Sequence, residues 1–387
     1  MLVAAFLVVL VLAGGSDSAV ALPTSQTVAP PGEPSPGADV SAFAAPAPPA
    51  LSARAAYALD ATVGTELYAV NADERRAPAS LTKVATALVV LEHGDLDETV
   101  TIEEGDLGDN SESQVGLEAG DSLTVRDLLF GLLIPSGNDA ARALARHIGA
   151  DLPDGDRDPS AAFVAEMNDV VAAHGLANTR FANPTGLDQE GHYASARDLA
   201  QLAASAMEDS LFAEIVALPD ATLASRTRPD GYYVTTTNQL LVEGTVEGIK
   251  TGTTDKAGGC LISTVTVDEN RVITVVLGSP VETTAEGRSE SPARYDDTRV
   301  ILGALPEDYR WLDPAEAPEI DGLSEELAVW EAALPDGPDI VLPIERAEEL
   351  RYRLVLGPSG EPDAEIGRVL FFLGGDFLTE RAVVQAA

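Results

Sequence analysis

The hydrophobic period of this chain changes twice, and that order restricts the fold more than any single motif. Residues 55–74, AAYALDATVGTELYAVNADE, alternate as two short strands around a turn containing Gly64, the pattern of a half-buried hairpin. ASLTKVATALVVLEHG then places apolar Leu81, Val84, Leu88 and Leu91 at helical spacing, with Gly94 as its stop. VRDLLFGLLIP predicts a second helix ended by Pro135, and DAARALARHIG, AAFVAEMNDVVAAHG and SARDLAQLAASAM predict three more. Alternation returns in GIKTGTT, CLISTVTVD and RVITVVLGSP, which read as antiparallel strands joined by turns. Helices inserted between early and late strands predict a mixed α+β fold, not a repeated strand–helix–strand unit. No internal repeat of solenoid length is present.

The flanking segments have a different texture. Leu2 to Ala13 is an uncharged apolar run too short to span a bilayer comfortably, and Ala19-Val20-Ala21 has the small-x-small form of a signal-peptidase site. Residues 1–21 are therefore expected to be a signal peptide or, because a positively charged start is missing, an uncleaved N-terminal anchor. Residues 22–51 carry eight prolines among alanine and serine and predict an extended linker. An ordered domain is expected over 52–303. Residues 304–387 are expected to hold an acidic, proline-rich linker, EDYRWLDPAEAPEIDG, and then a small β-rich domain of short strands.

Composition excludes some functions. A formal charge of −39 and a pI of about 4.1 argue against nucleic acid and against an anionic membrane surface, since both require clustered basic residues. Hydrophobic residues make up 45% of the chain, which is ample for a packed core. The surplus acid reads as a solvated coat suited to salty or alkaline surroundings, or as a repulsive device for solubility. Cys260 is the single cysteine, so no intramolecular disulfide forms, which leaves export open.

Against 63 acidic side chains the chain keeps only three lysines, Lys83, Lys250 and Lys256. Ser80 and Lys83 stand at i and i+3, so on a helix they share one face. A serine becomes a nucleophile when a base removes its proton. A lysine can be that base if burial or a second cation lowers its pKa from about 10.4 toward neutrality. Leu81, Val84 and Ala85 imply burial, and Lys250 is a candidate for the second cation. Pro78 and Ser80 mark a helix start, whose free N–H groups favour negative charge developing on an attacked carbonyl. Ser136-Gly137-Asn138 falls on a tight connection between two helices, and Lys250-Thr251-Gly252 opens a strand. The three motifs lie 56 and 114 residues apart, in the order Ser-x-x-Lys, Ser-x-Asn, Lys-Thr-Gly.

With these motifs, and with blocks such as SQVGLEAGDSLTVRDLLFGLLIPSGNDAARALA and HYASARDLAQLA, residues 52–303 resemble the serine-type D-alanyl-D-alanine carboxypeptidases, the low-molecular-mass penicillin-binding proteins. The resemblance implies a β-lactamase/transpeptidase-like antiparallel sheet with flanking helices and an inserted helical subdomain, followed by a small β-rich appendix. It implies that Ser80 forms an acyl-enzyme, that Lys83 takes its proton and that Ser136 relays a proton to the leaving amine. Asn138 would orient Lys83 and the substrate amide. Lys250, Thr251 and Thr253 would hold the terminal carboxylate, Gly252 would admit the substrate as an added strand, and Ser80 and Thr253 would supply the oxyanion hole. No metal or organic cofactor is implied. The partners implied are the peptidoglycan stem peptide and β-lactams as covalent inhibitors, outside the cytoplasm. Membrane contact would come only through the N-terminal segment.

Other residues receive smaller roles. His192 reads as loop packing, Asn183 to Gly186 as a turn shaping the cleft floor, and Ser111 and Ser113 as cleft rim. Glu166 falls inside a helix, which argues against the deacylating glutamate of a class A β-lactamase. β-Lactamase and a non-catalytic wall scaffold remain as alternative functions.

Overall fold

The computed structural model describes residues 45–386 apart from 110, 285–288, 316–319, 321 and 359. The expected leader and most of the expected proline-rich linker lie outside the described residues. Two units are present, one of residues 47–61 and 66–304 and the other centred on residues 305–387.

In the first unit, β1 (Ala55–Asp60) and β2 (Thr65–Val70) form the expected hairpin. A 3-10 turn over Ala79–Thr82 leads into α1 (Lys83–His93). Short strands β3 (Thr99–Thr101) and β4 (Ser122–Thr124) pair before α2 (Val125–Leu133). Then come α3 (Asn138–Gly149), α4 (Pro159–Ala173), α5 (Ala196–Ala206) and α6 (Ser210–Val216). The N-termini of α2, α4, α5 and α6 are capped by Thr124, Asp158, Ser195 and Asp209, each of whose side chains accepts a first-turn N–H. A hairpin of β5 (Asp220–Leu223) and β6 (Tyr232–Thr235) and the one-turn α7 (Gln239–Val242) follow. Long strands β7 (Gly248–Thr254), β8 (Gly258–Val267) and β9 (Asn270–Ser279) return the chain to the sheet. Two-residue strands β10 (Glu282–Thr283) and β11 (Ser289–Glu290) precede α8 (Pro292–Asp308).

The main sheet has the order β2-β1-β9-β8-β7, with antiparallel registers such as Tyr57 opposite Val275 and Gly252 opposite Cys260. The early hairpin thus joins the late strands in one sheet, and β7 occupies an edge. The expected helical face of α1 needs correction. Leu81 and Val84 are fully buried, but Leu88 and Leu91 are half-buried while Val89 and Val90 are fully covered. The reason is that α1 contacts α2, α3, α4 and α5; a helix surrounded on most sides is apolar nearly all round instead of along one stripe. α2 also stops two residues before Pro135, at Leu133.

In the second unit, β12 (Tyr309–Leu312) and α9 (Leu323–Val329) precede β13 (Ala332–Ala333) and β14 (Ile340–Pro343). Strands β15 (Leu350–Leu356), β16 (Glu365–Leu373) and β17 (Asp376–Gln385) complete a four-stranded sheet in the order β13-β17-β16-β15. Part of the segment read as acidic linker is therefore strand. Tyr309, Trp311 and Leu312 are buried, and β12 pairs antiparallel with β14. The flanking acid and proline mask these apolar side chains in the sequence. Among the described residues no helix is long and apolar enough to cross a membrane.

Two of the three lysines, Lys83 and Lys250, are buried, and only Lys256 is exposed. The solvated surface is correspondingly acidic and self-repelling. Added salt screens that repulsion, so Tm is expected to rise by about 5 °C between roughly 0.1 M and 2 M sodium chloride. Thermal unfolding across a salt series tests this; a flat or falling profile would dispose of the saline-coat reading.

Candidate active site

The turn that carries Ser80 is held from several directions. Ala79, buried, sits at φ +50°, a left-handed conformation that a non-glycine residue adopts at a cost. Its carbonyl accepts from Thr82 Oγ1 at 2.9 Å, and His192 Nε2 lies 2.8 Å from the same hydroxyl. The Ala182 N–H donates to His192 Nδ1 at 2.9 Å, so Nε2 carries the imidazole proton. Burial lowers the His192 pKa to about 4, against the opposing pull of Asp188. His192 is thus a neutral strut under the turn and packs against Phe181. Two backbone segments press on the turn directly. A Cβ on Gly186, whose φ is +89°, would lie 2.0 Å from the Ala79 carbonyl oxygen. One on Gly252 would lie 2.9 Å from both Ser80 N and Ala79 Cβ.

Lys83 opens α1 and is completely buried. Its ammonium donates to Asn138 Oδ1 at 2.6 Å, to the Thr185 carbonyl at 2.7 Å and to Ser80 Oγ at 3.1 Å. Burial, aided by the Arg142 guanidinium and opposed by Asp139 and Glu112, lowers its pKa to about 7. The cation acting on Lys83 is therefore Arg142, where the sequence suggested Lys250. The repulsion between the two lysines falls instead on Lys250, which burial first, then Lys83 and Arg294, hold well below its ordinary value.

Ser136 follows α2 at φ +65°, nearly buried, and its hydroxyl has no hydrogen-bond partner among the described residues. Asn138 is the first residue of α3, with Gly137 as its cap, and is not itself in the loop. Its N–H donates to the Ser113 carbonyl at 2.8 Å. The Asp139 carboxylate accepts the N–H groups of Val115, Gly116 and Leu117 at 2.9–3.1 Å, tying this loop to the start of α3.

On β7, the Lys250 ammonium donates to the Thr251 carbonyl at 2.9 Å, and Thr251 Oγ1 lies 2.5 Å from Thr237 Oγ1. Arg294 Nη1, from α8, donates to the Gly252 carbonyl and to Thr253 Oγ1, each at 2.8 Å. Sequence reasoning missed Arg294, because an arginine on a charged helix carries no spacing signal. Asp188 accepts from Thr254 Oγ1 at 2.8 Å and from the Lys256 N–H at 3.1 Å, linking the 183–188 turn to the end of β7. Lys83 is hydrogen-bonded to both Ser80 and Asn138, and Gly252 abuts the Ser80 amide. Ser111 bonds Asp109 on the surface, while Ser113 meets the site through its backbone. Glu166 lies on α4 and pairs with His93 at 3.1 Å. Glu92, His93 and Glu166 place three donor atoms within 4.8 Å of one another, but this group takes no part in the constellation around Ser80.

Residues 42–281 match the model of the D-alanyl-D-alanine carboxypeptidase family. The chain belongs to that family. It is 36% identical over 266 residues to the D-alanyl-D-alanine carboxypeptidase of Streptomyces sp. strain K15, covering 66% of this chain and 87% of that one. Identity to D-alanyl-D-alanine carboxypeptidase DacA of Escherichia coli K12 is 30% over 366 residues, covering 88% and 84%. For DacF of Bacillus subtilis it is 33% over 234 residues, and the chain spans only 58% of that relative's length. Among solved structures, penicillin-binding protein 5 of Haemophilus influenzae aligns with a TM-score of 0.64 at 28% identity, over 88% of this chain and 98% of that one. The Streptomyces K15 DD-transpeptidase aligns with a TM-score of 0.59 at 34% identity, over 66% and 97%. The fold of this family member is that of the penicillin-binding DD-peptidases, an antiparallel sheet with packed helices and a C-terminal β-rich region.

Proposed function

We propose that the chain is a serine D-alanyl-D-alanine carboxypeptidase that removes the terminal D-alanine from peptidoglycan pentapeptide stems outside the cytoplasm, and that β-lactams acylate the same serine. One observation carries this reading: a buried lysine with a pKa of about 7 lies 3.1 Å from Ser80 Oγ. At that pKa the neutral amine is well populated near neutrality and is basic enough to accept the serine proton.

Lys83 takes the Ser80 proton as Oγ attacks the carbonyl carbon of the penultimate D-alanine. The N–H groups of Ser80 and Thr253 receive the oxyanion. Ser136 relays the proton, taking it from Lys83 as its own hydroxyl proton passes to the leaving amine; the C–N bond breaks, D-alanine departs, the ester remains on Ser80 and Lys83 is neutral again. Water then attacks the ester, giving a proton to the neutral Lys83, which returns it to Ser80 Oγ as the ester C–O bond breaks, and the free serine is restored. Asn138 aligns Lys83 and the substrate amide. Lys250, Thr251 and Thr253, with Arg294 beside them, hold the terminal carboxylate, whose charge stabilises the protonated form of the otherwise depressed Lys250. The stem peptide lies along the free edge of β7 as an added strand, close against Gly252. The acylation rate rises as Lys83 loses its proton, and therefore with pH through about 7.

The test is release of D-alanine from a peptide ending in D-Ala-D-Ala, with and without prior exposure to penicillin, plus mapping of the penicillin adduct. Release that penicillin blocks, with the adduct on the peptide containing Ser80, is the expected result. Rapid penicillin hydrolysis without D-alanine release would instead indicate a β-lactamase, and neither activity would indicate a scaffold.

A further inference from the structure

Asn138 has to present its carbonyl oxygen, and not its amide nitrogen, to Lys83. An isolated asparagine side chain has no strong preference between these orientations, because its two ends are nearly the same shape. Here the choice is made by a residue outside all three sequence motifs. Asn138 Nδ2 donates to Glu112 Oε2 at 3.0 Å, which leaves Oδ1 to accept from Lys83 Nζ at 2.6 Å. The same Glu112 oxygen receives Arg142 Nη2 at 2.5 Å. Arg142 lies one helical turn beyond Asn138 on α3, so both side chains reach the carboxylate from one face. The pair is largely withdrawn from water, with side-chain exposures of 15% for Glu112 and 24% for Arg142.

We propose that Glu112 and Arg142 are positioning residues for the general base: Glu112 sets the orientation of the Asn138 amide, and Arg142 cancels the carboxylate's charge where Lys83 has to lose its proton. A carboxylate alone would orient Asn138 equally well, but its field would hold the proton on Lys83. The arginine removes that penalty while also fixing the carboxylate in place. This rests on the reading of Lys83 as the base. The charged groups facing Lys83 are Glu112 from the loop before β4, Asp139 and Arg142 from α3, and Lys250 from β7. Burial and Arg142 favour its neutral form, while Asp139 and Glu112 oppose it.

The experiment is the pH profile of penicillin acylation, measured as a second-order rate constant for wild type, Arg142→Met, Glu112→Gln and the double variant. Thermal unfolding identifies any variant that fails to fold. Arg142→Met exposes Lys83 to an uncompensated carboxylate, so its acidic limb should move about one pH unit upward. Glu112→Gln keeps an acceptor for Asn138 but removes the negative charge, so its limb should move downward by a similar amount. The double variant should return toward the wild-type limb. Folded single variants whose limbs stay in place, or whose rates fall equally at every pH, would overturn the proposal and leave the pair a merely structural role. A wild type that forms no adduct at any pH would instead overturn the base reading itself, and this proposal with it. Glu112→Gln, close in shape to the native side chain, keeps the test available if Arg142→Met does not fold.

Discussion

Replacing Lys83 by methionine is expected to slow acylation of Ser80 about a thousandfold at neutral pH and to abolish the acidic limb of the pH profile. General-base catalysis contributes about a hundred- to ten-thousandfold, and a methionine thioether cannot accept the proton. The buried ammonium also has a measurable effect on stability. Its pKa in the folded protein is about 7 against an ordinary value of 10.5, so between those limits the unfolded chain binds the extra proton. The Lys83 contribution to stability therefore improves as pH rises through that window, and its penalty is fully present below about pH 7. The Tm of the wild type relative to Lys83→Met should accordingly fall as pH drops from 10 to 7 and level off below. Acylation rates by stopped flow and Tm across pH test both parts. A variant acylated within tenfold of the wild type would remove Lys83 from the role of base.

Gly252→Ala is the second large effect, expected to cut the acylation rate about a hundredfold while leaving the protein folded. The added methyl would stand 2.9 Å from the Ser80 amide nitrogen and from Ala79 Cβ, and 3.3 Å from the Pro78 carbonyl oxygen. Either β7 or the nucleophile turn has to move, and both carry proposed oxyanion donors. Misplacing one such donor costs about a hundred- to a thousandfold. Gly105→Ala is the control, since a Cβ added there would meet nothing within 4 Å. Loss in Gly252→Ala but not in the control, at similar Tm, is the expected outcome. Equal rates in both would mean that the close approach of β7 to Ser80 does not matter for the reaction.

Legibility of this protein varied with the range of the interaction concerned. Ser80 and Lys83 were visible because three residues of helical turn bring side chains together with no help from the rest of the chain. The central strands were visible because alternation over β8 and β9 is long and uninterrupted. β12 was not, because four residues surrounded by acid and proline carry little periodic signal. α6, seven residues long, and the β5–β6 hairpin were missed for the same reason. Glu112, Arg142 and Arg294 look, in one dimension, like any solvated charge on a polar segment.

Local chemistry along the chain was enough to determine the α+β order, the serine–lysine pair, the Ser-Gly-Asn connection and the Lys-Thr-Gly strand. Each depends on contacts within a few residues or on the simple order of elements. Only the tertiary structure decided that Lys83 is fully buried, that its hydrogen bonds go to Asn138 and Thr185, and that Arg142 is the cation depressing its pKa. The physical reason is that a pKa depends on solvation and on every charge nearby in space. Those neighbours come from segments 55 to 102 residues away, and no local pattern records which of them folding will bring together.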